Sequence, residues 1–170
     1  PSFSQPLAPD RERFARRIAA AGAGVVSIRS RSPTFAGGSW LAHAALLAGV
    51  DTKDPAHYQL LLTTERDNLV RHFERRGYRT IGVIPGLRSS WPEGGFYGFD
   101  RLFDSPTLDY QGPEFGYWRI PDQYSIAKVE AEEPGLGAPR FILFATLGSH
   151  IPFQPLAPYQ PDWSRLLTPT

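Results

Sequence analysis

Two residues stand where reactive chemistry is easiest to build: Ser39 and His150. Ser39 follows Gly37-Gly38 and precedes Trp40 to Ala48, a run of good helix formers closed by Gly49. A serine at a helix start meets free backbone N–H groups and the positive end of the helix dipole. That setting favours an anionic phosphoryl or sulfuryl group. The two glycines remove side chains that would obstruct its approach. The hydroxyl would attack phosphorus if something lowered its pKa, and a bound divalent cation does that. Serine is also a preferred N-cap and Gly-Gly-Ser a common loop, so a purely structural role stays open. A lipase-type nucleophile elbow needs Gly-x-Ser-x-Gly directly after a strand. Leu41 replaces the second glycine and a long loop separates Ile28 from Ser39, so we discount it.

His150 follows Phe141-Ile142-Leu143-Phe144-Ala145-Thr146-Leu147, the strongest strand signal in the chain and apolar throughout, as a central parallel strand should be. Ligands of open parallel sheets bind beyond the C-terminal ends of the strands. An imidazole there can donate to a phosphoryl oxygen or protonate a leaving alkoxide; the alternative is a histidine that fixes a loop beside Pro152. His43 lies one turn after Ser39, facing the same site or simply the helix surface or core. Trp91 is suited to stack on a substrate's head group, and equally to pack onto the core. Asp100 and Asp104 read as turn and cap residues rather than ligands. His57 and His72 carry no specific signal.

The elements that must position these residues follow from periodicity and punctuation. Asp10 reads as the N-cap of a helix with Phe14, Ile18 and Ala21 on one stripe, ended by Gly22 and Gly24. Val25 to Ile28 reads as a short strand and Ser32 to Gly38 as a loop. Thr64 and Asp67 resemble a capping box opening a helix with Leu69, Val70 and Phe73, stopped at Gly77. Thr80 to Ile84 reads as a buried strand ended by Pro85-Gly86. Residues 87–120 are rich in glycine, proline and aromatics without a period. Asp122 caps a short helix through Val129, and the tail from Ile151, with Pro152, Pro155, Pro158 and Pro161, is not expected to form a regular element. Helices alternating with strands predict a parallel sheet with crossover helices.

The chain's 170 residues suffice for one domain with one core. A net charge of +1, with 18 basic against 17 acidic residues, carries none of the electrostatic footprint of a nucleic-acid binder. The absence of cysteine excludes disulfides, thiolate metal sites and cysteine nucleophiles. No Met is present, so the chain is expected to be processed or cut from something longer. No stretch reaches the apolar length of a membrane span.

Residues 32–49, Ser-Pro-Thr-Phe-Ala-Gly-Gly-Ser-Trp-Leu-Ala-His-Ala-Ala-Leu-Leu-Ala-Gly, resemble the nucleophile segment of sulfatase-like enzymes of the alkaline phosphatase superfamily. In that family the nucleophile opens a helix ending in Leu-Leu-Thr-Gly or similar. Three further segments resemble the family in the same order. Phe73 to Thr80 is similar to its helix-to-strand step with Gly-Tyr. Trp91 followed by Tyr97 to Asp104 is similar to the stretch with a substrate-side tryptophan and a Gly-Phe-Asp turn. Phe144 to Phe153 is similar to the His-x-Pro-Phe segment, whose histidine contacts the transferred oxyanion. Trp118 and Asp122 sit at the family's Trp-x-x-x-Asp stretch and are read as structural. His43 takes the place of a sulfatase arginine. Ser39-Trp40-Leu41-Ala42-His43 departs from the motif that is oxidised to formylglycine, so that oxidation is not expected. The segment is closer to lipoteichoic acid synthases and phosphoethanolamine transferases, which use an unmodified hydroxyl, usually threonine.

The resemblance implies an incomplete alkaline-phosphatase-like α/β three-layer sandwich, mostly parallel, with residues 1–170 an internal piece of one catalytic domain. It implies Ser39 as nucleophile and metal ligand, with His150, Trp91 and His43 at the substrate. The cofactor would be a divalent metal, Zn or Mn, and the substrate a phosphate or sulfate ester, lipid-linked in the transferase branch. The family's late Asp-His pair is absent, so the remaining ligands are expected outside this chain, which alone would bind metal weakly and show little activity. A partly uncovered sheet edge is expected as well. The resemblance places the parent at the extracytoplasmic (periplasmic) face of the inner membrane, held by segments outside this chain. Two alternatives stay open: a catalytically silent sulfatase-like binding module, and a metal-independent serine esterase using Ser39 and His150.

Overall fold

The computed structural model describes residues 8–26, 38–89, 91–115, 120–135, 137–148, 150 and 155–167. The chain divides into two units, Pro1–Ser32 and Pro33–Thr170. The first holds helix α1, Ala8–Ala20, with Asp10 inside its first turn rather than at its cap. The helix ends where Gly22 turns left-handed at φ 70° and the Ala23 amide bonds back to Ile18. Of the expected strand at Val25 to Ile28, Val25 and Val26 carry no regular structure, and Ser27 and Ile28 lie outside the described residues.

The second unit is built on a parallel sheet of three strands, β1 (Arg79–Ile84), β2 (Arg101–Asp104) and β3 (Arg140–Phe144), in the order β2-β1-β3. The α/β class and the parallel crossover pattern agree with the sequence reading. The apolar run at 141–147 does not sit in the middle: β1 does, and β3 forms one edge among the described residues. β3 is also shorter than its apolar run, ending at Phe144 after the Ala145 amide makes its bond to the Val83 carbonyl.

Alternation along the strands sends side chains to two cores. Ile81, Val83, Phe103 and, less deeply, Phe144 face one side, packed with Leu108, Ile120, Tyr124 and Val129. Helices α6 (Ser105–Leu108) and α7 (Asp122–Glu132) supply that layer. Phe141 and Leu143 face the other side with Leu41, Ala44, Leu47, Val70 and Tyr97. Helices α2 (Trp40–Ala48), α3 (Pro55–Leu62), α4 (Leu69–Glu74) and α5 (Gly94–Tyr97) lie there. Gly82 leaves room on that face for Leu102 and Phe99, since a Cβ would stand 2.9 Å from Leu102 Cδ1 and 3.3 Å from the Phe99 ring.

The starts of α4 and α3 differ from expectation, and that of α6 agrees with it. The cap of α4 is Asn68, whose side chain accepts from the Val70 and Arg71 amides at 3.0 and 3.1 Å. Thr64 instead donates to the Leu61 carbonyl at the end of α3, and Asp67 pairs with Arg75. α3 itself went unread, although Asp54 capping the His57 amide with Pro55 behind it is a regular start signal. Asp104 caps α6 in a reciprocal box with Thr107, and Asp100 accepts from the Thr80 amide and hydroxyl, so both act as cap and turn residues.

The acidic end of α7 meets the N-terminal ends of all three strands. Arg79 of β1 pairs with Glu133 at 3.0 Å, Arg101 of β2 with Glu132 at 3.0 Å, and Arg140 of β3 with Glu130 at 3.2 Å. Acids near a helix C-terminus oppose its dipole; the three guanidiniums offset that. Helix α7 therefore runs antiparallel to the strands, and its first residue, Asp122, arrives at their C-terminal ends.

Candidate active site

Helix α2 sets Ser39. Leu41, Ala44, Leu47 and Ala48 are all buried, a stripe at helical spacing that fixes which face meets the core. The buried Thr52 hydroxyl donates to the Leu41 carbonyl at 2.6 Å. Gly49 turns left-handed at φ 62°, and Arg66 donates to the Ala48 carbonyl at 2.9 Å, satisfying the helix end. With the helix anchored at that end, its N-terminus is presented to solvent.

Ser39 occupies the N-cap position and is exposed. Its backbone is already helical, at φ −58° and ψ −23°, and its side chain makes no capping bond. A capping serine has extended backbone and spends its oxygen on the next turn. The Ser39 hydroxyl is not used that way, which removes the ordinary structural reason for a serine at this place. The amides of Leu41 and Ala42 bond to the Gly38 and Ser39 carbonyls, and among the described residues the amides of Ser39 and Trp40, at the helix mouth, take no backbone carbonyl. Gly38 is half-buried beside it; Gly37 lies outside the described residues.

His43 follows at i+4 on the same helix, and four-residue spacing puts it on the face of Ser39. It is exposed, yet the surrounding helix surface desolvates its ring enough to lower its pKa below the ordinary imidazole value. Trp91 packs on the same core as Leu41, stacked on Tyr97 at 5.4 Å between ring centroids. Gly94 lets it approach, since a Cβ there would be 2.9 Å from the indole. Burial raises the pKa of Tyr97 well above the phenol range, with Tyr58 and Glu93 beside it adding to the shift. Trp91 is thus half-buried, with its ring committed to packing on one side.

His150 is exposed, six residues beyond the end of β3, and its amide donates to the Leu147 carbonyl at 2.9 Å in a tight turn. No hydrogen bond joins Ser39 to His150 among the described residues. Ser39 and His43 lie on α2, whose buried face shares a core with Trp91, and His150 lies on a loop past the C-terminal end of β3. Pro152 and Phe153 of the histidine segment, and Trp118, lie outside the described residues.

One residue at this edge was read only as structural. Asp122 accepts from the Leu147 amide at 2.7 Å through Oδ1 and from the Gly148 amide at 2.9 Å through Oδ2. Its neighbour Gln123 does the same for the C-terminal segment, donating to the Gln160 carbonyl at 2.6 Å and accepting from its amide at 3.0 Å. A cavity of about 270 Å³ opens beside them, lined by Ile120, Leu147, Leu156 and Tyr159 among others. Sequence spacing cannot reveal a contact across 25 positions; the only available signal was the family's Trp-x-x-x-Asp stretch.

Among the described residues, no three histidine or carboxylate side chains converge as a cation site. No helix among them is long and apolar enough to cross a membrane.

A family model described as Sulfatase matches residues 36–165. An uncharacterized protein of Haemophilus influenzae (strain ATCC 51907 / DSM 11121 / KW20 / Rd) is 25% identical over 140 residues, which cover 73% of this chain and 25% of that protein. The chain therefore spans about a quarter of the length of the curated relative it matches. No solved structure matches.

Proposed function

The chain belongs to the sulfatase family, and from that premise we propose that it is the nucleophile-bearing part of a longer phosphoryl or sulfuryl ester hydrolase or transferase, with Ser39 as the attacking residue. The observation that carries the assignment is the state of Ser39: at the mouth of a well-anchored helix, exposed, led by glycine, and without the capping bond a structural serine makes.

In this reading the Ser39 hydroxyl oxygen attacks phosphorus or sulfur, the ester oxygen leaves, and a covalent Ser39 ester results. Water or an acceptor alcohol then attacks the same centre and frees the serine. The amides at the start of α2 stabilise the oxyanion, and His150 donates a hydrogen bond to it. Trp91 bounds the non-reacting part of the substrate, and His43 stands beside the nucleophile in its neutral form.

Members of the family generally use a divalent metal. Ser39 offers a single oxygen, and such ions require several ligands. The described residues do not fit the ion on their own. The remaining ligands are assigned to chain outside residues 1–170, and the metal, Zn or Mn, would activate the serine there. A serine left unmodified, as the Trp40-Leu41-Ala42-His43 sequence after Ser39 implies, would align the reading with lipid-linked phosphate esters and with a parent enzyme at the extracytoplasmic face of a membrane.

The test is Ser39→Ala in the full-length protein, assayed on a chromogenic phosphodiester and on an aryl sulfate. Loss of the covalent nucleophile lowers kcat by about a thousandfold or more, and the substrate turned over by the unaltered protein decides between phosphate and sulfate. Unchanged turnover by Ser39→Ala would sink the assignment. Labelling of Ser39 by a fluorophosphonate in excess chelator would replace it with a metal-independent serine esterase.

A further inference from the structure

We propose that Asp122 is a positioning residue that holds the His150 loop in place at the C-terminal edge of the sheet. The inference rests on the role given to His150 above, but its geometry stands separately. The last bond from β3 to β1 is made by the Ala145 amide. Beyond it the chain leaves the sheet, and the next two amides but one, those of Leu147 and Gly148, are taken by the two oxygens of a single carboxylate. The His150 amide then closes on the Leu147 carbonyl. The histidine is thus tied to the helix α7 start through one turn of backbone, two residues from the clamp.

Three features show a clamp rather than a chance surface contact. Both carboxylate oxygens are spent on this one loop, at 2.7 and 2.9 Å, and charge-assisted bonds of this kind are the strong ones. The position of Gly148 matters to it: a Cβ there would stand 2.9 Å from Asp122 Oδ2, so a larger residue would push the carboxylate from its place. The far end of α7 is itself fixed, since Glu130, Glu132 and Glu133 hold the arginines that open the three strands. A helix pinned to the N-terminal ends of the strands at one end can set the height of the loop at the other. Misplacing a catalytic group by about an ångström costs on the order of a hundredfold in rate, so such a clamp bears on turnover.

The first measurement is amide hydrogen exchange on the full-length protein. Asp122→Ala should speed exchange of the Leu147, Gly148 and His150 amides about ten- to hundredfold, the loss expected for charge-assisted bonds. The Ala127 and Val129 amides of α7 should stay protected. Asp122→Asn keeps one acceptor and should fall between. Gly148→Ala leaves α7 intact and should displace the carboxylate, reproducing the same loosening. Unchanged exchange of the Leu147 and Gly148 amides in both Asp122→Ala and Gly148→Ala overturns the clamp.

The second measurement is phosphodiester turnover by the full-length protein. Asp122→Ala and His150→Ala should each lower kcat, and the double variant should be no slower than His150→Ala alone, because the first acts through the second. Losses that multiply would show Asp122 acting independently and overturn the positioning role. If His150→Ala alone is fully active, the role of His150 falls, while the exchange result still decides whether the clamp exists.

Discussion

Strands β1 and β3 are built from nearly the same kind of residue and lie side by side, yet they meet different surroundings. From Thr80 to Val83 every residue of β1 is buried, whereas no described residue of β3 is, and Ile142 is 40% exposed. In register Ile81 stands opposite Ile142 and points to the same face. The difference is the neighbour beyond: β1 has a strand on both sides, and β3 has one only on the β1 side among the described residues. Apolar composition sets how much a segment gains by burial; adjacency decides whether the burial happens.

The comparison is sharpest at the paired isoleucines. Ile81→Ala empties a site with no solvent access and should cost about 2–5 kcal/mol. Ile142→Ala should cost about 1 kcal/mol or less, since much of its side chain is already wet. Denaturant midpoints at constant m read the two directly. Equal losses would mean that β3 is covered in solution and that the contrast is wrong.

A smaller effect separates the arginines that open the two strands. Arg79 is paired in two-pronged fashion with Glu133, whose side chain is only 10% exposed. The bond raises the Arg79 pKa further. Arg79→Met strands a nearly buried carboxylate and should cost about 1–3 kcal/mol. The ion pair of Arg140 is to Glu130, half exposed, and is worth about 0.2–1 kcal/mol. Arg140 also donates to the Glu133 carbonyl, so Glu130→Gln is the cleaner probe of that pair. A cost for Glu130→Gln matching that of Arg79→Met would erase the distinction between centre and edge.

The smallest effect lies in acid. The Lys128 ammonium, and after it Arg101, hold the Glu132 carboxyl below its usual range. A depressed carboxylate stabilises the fold above its ordinary pKa, and the contribution is lost as pH falls below it toward the folded value. Glu132→Gln should therefore flatten the acid side of a stability-versus-pH curve below about pH 4.5. The change should stay under about 1 kcal/mol, because water screens these charges. A curve unchanged by the substitution would mean that the band of ion pairs at the strand starts does not couple to folding.

Much of the fold was legible because local rules and tertiary packing agreed. The run of helix formers from Trp40 to Ala48 closed by Gly49, the β1 run between Gly77 and Pro85, and the Asp104 cap are all short-range patterns. β2 was hidden because four residues, Arg101 to Asp104, are too few to show a period. The start of α4 was misplaced because Thr64 and Asp67 satisfy a capping pattern, whereas Asn68 satisfies the geometry. The candidate site divided the same way. Ser39 could be singled out from glycine, serine and a helix start; that its hydroxyl is not spent on a cap is visible only in its backbone angles.

The sequence by itself determined the family, the alternation of helices with parallel strands, and the residues able to do chemistry, because periodicity and residue type are local properties of the chain. Tertiary structure alone decided which apolar strand is central, that one helix ties the starts of three strands through its acids, and that Asp122 reaches across 25 positions to the loop of His150. Those are relations between segments distant in the chain, and they exist only once packing has set the distances between them.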